Sequence, residues 1–81
     1  MVGVVVRTSV DALHLLYYAA ASGRAAEALE ALRARAPGHT EEALALARTL
    51  CRLLPGDDPE KALACRVAQA SGALDRWLTR R

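Results

Sequence analysis

Three side chains near the start of the chain have the types and spacing that general acid–base catalysis requires. Asp11 and His14 are three positions apart, and Tyr18 follows four positions later, so on a helix they share one stripe. A carboxylate beside an imidazole can orient it as a general base. A partnered nucleophile is missing, because Ser9 and Ser22 occupy the positions of a helix cap and a helix end. We therefore predict an exposed stripe and a chain that is not an enzyme.

Metal and nucleotide chemistry have no better support in the sequence. The scattered residues Cys51, Cys65, His14 and His39 do not form a C-x-x-C or H-x-x-x-H pair. The glycines are isolated, so the sequence lacks a phosphate-binding loop, and we predict neither a metal nor a cofactor. Because we find no secretory leader, we place the protein in the cytoplasm and expect Cys51 and Cys65 to be free, buried thiols.

The last six residues combine cations with an aromatic ring. Arg76, Arg80 and Arg81 can contact phosphates while Trp77 stacks on a base. Cations are also favoured at any helix C-terminus by the helix dipole, and the net charge of only +2 argues against a strongly basic nucleic-acid binder. A small nucleic-acid-binding accessory protein therefore stays as an alternative function.

Glycine and proline divide the chain into an arm and four helices, which predicts an all-α fold. Residues 1–7 form a valine-rich arm, extended or disordered, and residues 8–81 form one helical domain. The first helix is expected from Thr8 or Ser9 to Gly23, and the second over about 24–36, ending at Pro37-Gly38. The third is expected from the N-cap Thr40 to Pro55-Gly56. The fourth is expected from Asp58-Pro59 to about Thr79, and whether it breaks at Gly72 is left open. Short connections favour a small four-helix bundle or a pair of α-hairpins.

The apolar pattern predicts both a core and an interface. The expected core is Leu16, Leu29, Leu32, Leu46, Leu50, Leu63 and Val67. The first helix is apolar around most of its circumference, so three short helices would leave part of it uncovered, and the arm would lack a pairing strand. A homodimer would cover both, and the candidate interaction residues are Val4, Val5, Val6, Tyr17 and Tyr18. The longest uncharged stretch, residues 12–23, is too short to cross a membrane.

Two further features of the sequence suggest relationships. Glu27-Ala28-Leu29 and Lys61-Ala62-Leu63 are 34 residues apart, the tetratricopeptide period, so a helical hairpin scaffold of that kind is another alternative. The absence of Asn, Ile and Phe, with abundant Ala and Arg, is compatible with a GC-rich genome and a thermophile.

Two strings in the sequence resemble a known family. They are Ser9-Val10-Asp11-Ala12-Leu13-His14-Leu15 and Leu53-Leu54-Pro55-Gly56-Asp57-Asp58-Pro59-Glu60-Lys61. The resemblance is to the C-terminal helical region of archaeal and bacterial adenine-specific DNA methylases that carry a zinc ribbon. The chain lacks that family's N-P-P-[YF] type motif, cofactor loop and zinc ribbon, so methyl transfer is not carried over. The resemblance implies a detached, noncatalytic interaction or accessory module, whose partner is itself or a protein such as a DNA methylase.

Overall fold

Helices make up all the regular secondary structure in the part of the chain that the structure describes. The structure, a computed structural model, describes the backbone of residues 6–79 and the side chains of residues 6–72. Its helices are α1 (Ser9–Ala21), α2 (Ala25–Arg35), α3 (Pro37–Leu53) and α4 (Pro59–Thr79). They confirm the predicted all-α four-helix bundle. Most of the predicted arm, residues 1–5, lies outside the described residues.

Helix α1 begins and ends where its sequence predicts. Thr8 is the N-cap, and its hydroxyl accepts a hydrogen bond of 3.2 Å from the Asp11 amide. At the other end Gly23 has a φ of +74°, a left-handed conformation that suits glycine. This conformation lets the Gly23 and Arg24 amides donate to the Ala20 and Ala19 carbonyls at 3.1 and 2.7 Å. The chain therefore reverses sharply into α2.

The connection between α2 and α3 is much shorter than predicted. The expected turn at Pro37-Gly38 is wrong, because Pro37 opens α3 and only Ala36 separates the two helices. Proline is as well suited to the first helical position as it is to ending a helix, since it needs no amide partner there. An ion pair spans the corner, with Arg33 Nε 3.0 Å from Glu41 Oε2.

Helix α4 has the predicted start and runs without a break. The Asp58 carboxylate accepts a hydrogen bond of 2.9 Å from the Glu60 amide, and Pro59 is the first helical residue. Gly72 lies inside the helix, which settles the open question in favour of one continuous element. At the preceding turn the Lys61 ammonium donates to the Leu54 carbonyl at 2.9 Å, capping the end of α3.

The core lies at the centre of the bundle, where every pair of helices is in contact. Leu16 and Leu29 are the largest apolar side chains that α1 and α2 bury completely, as predicted. The predicted Leu50 and Leu63 are only partly buried against this core. The full cluster is Ala12, Leu13, Leu16, Ala20, Leu29, Leu32, Ala43, Leu44, Ala47 and Val67.

The buried face of α3 differs from the prediction. Leu44 is 1% exposed, whereas Leu46, expected in the core, is 41% exposed. The error follows from Thr40, which is not an N-cap but a fully buried helical residue whose hydroxyl donates to the Ala36 carbonyl at 2.7 Å. With Thr40 inside, the buried positions Thr40, Ala43, Leu44 and Ala47 form the i, i+3, i+4, i+7 stripe of one helix face.

Cys51 and Cys65 form a disulfide between α3 and α4, so the prediction of free, buried thiols is wrong. The Cα atoms of the two residues are 4.8 Å apart, and both side chains are half-buried. The prediction rested on an assumed reducing compartment, whereas the pairing follows from the antiparallel hairpin, which brings the end of α3 beside the first turns of α4. The bridge closes a loop of the size for which a disulfide contributes about 3 kcal/mol to stability.

Candidate functional site

Of the stripe Asp11, His14 and Tyr18, which we considered for acid–base chemistry, Asp11 makes hydrogen bonds at the start of α1. The Asp11 carboxylate accepts a hydrogen bond of 3.1 Å from the Arg7 amide, and the Asp11 amide donates to Thr8. His14 and Tyr18 are exposed further along the helix. Asp11 thus has a local structural partner on its N-terminal side, which gives its carboxylate a capping role.

The predicted interaction residues have different environments. Val6 packs against the core of its own chain. Tyr17 is half-buried and its hydroxyl donates to Glu60 at 3.0 Å, so this side chain links α1 to α4. Tyr18 points outward and is 80% exposed. The remaining candidates have no described side chain: Val4, Val5, Arg80 and Arg81 lie outside the described residues, and Arg76 and Trp77 lie in the part of α4 described by its backbone alone.

An open groove lies between the end of α1 and the start of α2, and Tyr18 forms one of its edges. Its volume is about 590 Å³. The lining residues are Tyr18, Ala19, Ser22, Arg24, Glu27 and Ala28. Among the predicted interaction residues whose side chains the structure describes, Val6, Tyr17 and Tyr18, the groove is lined by Tyr18 alone.

The sharp turn after α1 creates the groove. Gly23 has a left-handed backbone conformation, and the Arg24 amide donates to the Ala19 carbonyl. Together they hold Arg24, the residue before α2, against the last turn of α1. Ser22 adds a side-chain hydrogen bond of 3.3 Å to the Tyr18 carbonyl. The backbone on both sides of the groove is therefore well anchored, while the Tyr18 and Arg24 side chains remain exposed.

The groove combines a small apolar surface with two opposite charges. Ala19 and Ala28 leave space between the helices, and Arg24 and Glu27 are both exposed, three positions apart at the start of α2. Arg24 is the N-cap residue of α2, but its side chain makes no capping hydrogen bond and lines the groove instead. An aromatic ring, a cation, an anion and small residues suit the binding of another protein surface.

Sequence reasoning did not identify Arg24, Glu27 or the two alanines as site residues. Arg24 and Glu27 looked like ordinary surface charges of an amphipathic helix. The available signal was Gly23 directly before a charged residue, because a left-handed glycine at a helix end brings the next helix back beside the first.

Comparison with known proteins finds no family model, curated protein or solved structure that matches this chain. Among residues 6–79, none of the helices has both the length and the apolar character needed to cross a membrane. Within the same described part of the chain, we find no group of three His, Cys, Asp or Glu side chains that could hold a metal ion.

Proposed function

We propose that the chain is a noncatalytic helical interaction module that assembles as a two-fold dimer through the groove between α1 and α2. The observation that carries this proposal is Tyr18, whose side chain is 80% exposed at the edge of that groove. Tyrosine offers a large contact area with few rotatable bonds, and aromatic residues dominate the energetics of protein interfaces. A second copy of the chain is the occupant that the surrounding residues favour.

The charges of the groove complement themselves under two-fold symmetry. In a two-fold contact every pairing occurs twice. If one residue of the first copy contacts a second residue of the other copy, then that second residue of the first copy contacts the first residue of the other. Arg24 of one copy can therefore face Glu27 of the other, and Glu27 can face Arg24, so one arrangement provides two ion pairs. A groove with a single sign of charge would instead repel its own copy.

The size of the lining residues supports the same arrangement. Ala19, Ser22 and Ala28 are small, and the space above them amounts to about 590 Å³. This space can receive the Tyr18 ring of a second copy, while the Tyr18 of the first copy enters the groove of the second. Burying both rings would remove the largest exposed aromatic surface described in α1 from water.

The experiment that tests this proposal is sedimentation equilibrium of the full chain and its variants. We expect the wild type to dimerise and Tyr18→Ala to shift the equilibrium to monomer. Leu53→Ala is the matched control, because Leu53 is 74% exposed on α3, outside the groove. A monomeric wild type, or equal weakening by both substitutions, would contradict the proposal.

A charge-reversal cycle tests the pairing itself. Arg24→Glu and Glu27→Arg should each weaken the dimer, since each places like charges opposite one another. The double variant Arg24→Glu/Glu27→Arg should restore it, because the two ion pairs form again with reversed direction. Removing residues 1–5 should leave the dimer intact, and loss of the dimer on that truncation would assign the contact to the arm.

The resemblance of residues 9–15 and 53–61 to the methylase tail supports a DNA methylase as a further protein to which the module attaches. This second partner requires a surface other than the groove if the dimer persists in the complex. Binding of a purified methylase of that family to wild type and Tyr18→Ala alike would support this division of surfaces. Loss of methylase binding in Tyr18→Ala would place the methylase in the groove.

A further inference from the structure

The disulfide between Cys51 and Cys65 lies at the edge of the fold. Cys51 is in the last turn of α3, Cys65 is in the second turn of α4, and both side chains are half-buried. Neither residue belongs to the buried apolar cluster. A disulfide between two partly exposed residues is a better candidate for attack by a thiolate from solution than one enclosed by a core.

Other contacts hold α3 and α4 together without the disulfide. Leu44 and Ala47 of α3 and Ala64 and Val67 of α4 are completely buried or nearly so. Polar contacts flank them on both sides: Lys61 donates to the Leu54 carbonyl at 2.9 Å, and Arg48 donates to the buried Ser71 hydroxyl at 2.9 Å. The helix pair therefore keeps its core and two polar contacts when the bond between the sulfurs is broken.

We propose that Cys51–Cys65 is a thiol–disulfide exchange site, which a dithiol reductant opens while the four-helix bundle stays folded. A thiolate of the reductant attacks one sulfur and forms a mixed disulfide, and the sulfur–sulfur bond of the protein breaks. The released cysteine sulfur takes up a proton. The second thiol of the reductant then displaces the other cysteine, which also takes up a proton. In total two electrons and two protons pass from the dithiol to the protein, and the reductant leaves as a disulfide.

The folded bundle holds the two thiols ready to recombine. The Cα atoms are 4.8 Å apart, so reoxidation requires little movement of the backbone. The same geometry explains why the exchange would be reversible, since the helices that carry the cysteines are positioned by their own core contacts. The exchange at Cys51 and Cys65 does not require the proposed dimer.

The test uses the air-oxidised full chain, dithiothreitol as the dithiol probe, and no denaturant. Samples are alkylated with a polyethylene glycol maleimide, which adds one gel shift per free thiol, and their helix content is followed by far-ultraviolet circular dichroism. We expect two added labels and an unchanged helical spectrum after reduction, and no label on samples that are reoxidised before they are alkylated. The double variant Cys51→Ser/Cys65→Ser is the control and should take up no label.

Three outcomes would overturn the proposal. Labelling that requires urea as well as dithiothreitol would make the bond a protected structural disulfide. Loss of the helical spectrum on reduction would show that the bundle depends on the bond. Two labels on the air-oxidised protein before any reductant is added would show that the cysteines do not pair.

Discussion

The Tyr17 hydroxyl donates a hydrogen bond of 3.0 Å to Glu60, which joins α1 to the first turn of α4 across 43 positions of sequence. Burial raises the pKa of the Tyr17 phenol well above its usual value of 10. The hydrogen bond to the Glu60 carboxylate and the negative charges of Glu60 and Asp58 raise the pKa further. The fold therefore holds Tyr17 as a neutral donor.

This contact should make stability fall in strongly basic solution. Below about pH 10 the phenol is protonated in both the folded and the unfolded state, so its contribution is constant. Above that pH the unfolded chain loses the proton while the folded chain retains it, and the free energy of unfolding decreases as pH rises. Tyr17→Phe removes this ionisation, so the stability difference between wild type and variant should shrink through this range. Thermal unfolding of both proteins at neutral and basic pH checks it, and a constant difference would contradict it.

The register of α3 can be tested with two leucines. Leu44→Ala should lower the free energy of unfolding by about 2–5 kcal/mol, because Leu44 is 1% exposed and its loss leaves a cavity. Leu46→Ala should cost less than about 1 kcal/mol, since Leu46 is already 41% exposed. Urea titration of both variants gives the comparison. A larger loss of stability for Leu46→Ala than for Leu44→Ala would show that Leu46 is on the buried face of α3, as the sequence pattern predicted.

Two glycines distinguish a helix start from a turn. Gly38→Ala should stabilise the protein by about 0.5 kcal/mol, because Gly38 lies in the first turn of α3 and an added methyl group meets no atom within 4 Å. Gly23→Ala should destabilise it by about 1–2 kcal/mol, because the φ of +74° is unfavourable for alanine even though the site is open. Thermal unfolding of the two variants measures both effects. Destabilisation by Gly38→Ala would indicate a turn at Pro37-Gly38.

The cap of α4 offers a test of local stability. Asp58→Ala should cost about 0.5–2 kcal/mol, since the Glu60 amide loses its acceptor at 2.9 Å. Asp57→Ala is the matched control, because Asp57 is an exposed carboxylate one position before the cap. Its effect should stay within about 0.5 kcal/mol. If urea unfolding gave equal losses of stability for the two substitutions, the capping role of Asp58 would be contradicted.

The sequence predicted the local features of the fold better than the relations between helices. The Thr8 cap, the Gly23 stop and the Asp58-Pro59 start each depend on a few neighbouring residues, and the structure has all three. Pro37-Gly38 is ambiguous at that level, because the same pair suits the end of one helix and the start of the next. The turn predicted there made Thr40 an N-cap outside the helix, and the predicted buried face of α3 contained Leu46 where the structure has Leu44.

The candidate site was harder to predict because it depends on two helix ends meeting. Tyr18 was identified from its type and its place on an apolar helix. Arg24 and Glu27 become its neighbours only through the backbone reversal at Gly23, which no periodic pattern encodes. The Cys51–Cys65 pair had the same difficulty, since its formation depends on the packing of α3 against α4.

The bridge between α3 and α4 also changes what a single cut in the backbone would do. Residues 55–57 are exposed between the two cysteines, in the longest of the connections between consecutive helices that the structure describes. A protease that cleaves there produces two polypeptides, but the covalent link keeps α4 attached to the piece that contains α1, α2 and α3. The nicked protein would run as one species on a gel without reductant and as two with it. This turn is therefore the place where new chain ends, or an inserted peptide, can be introduced without separating α4 from the other three helices.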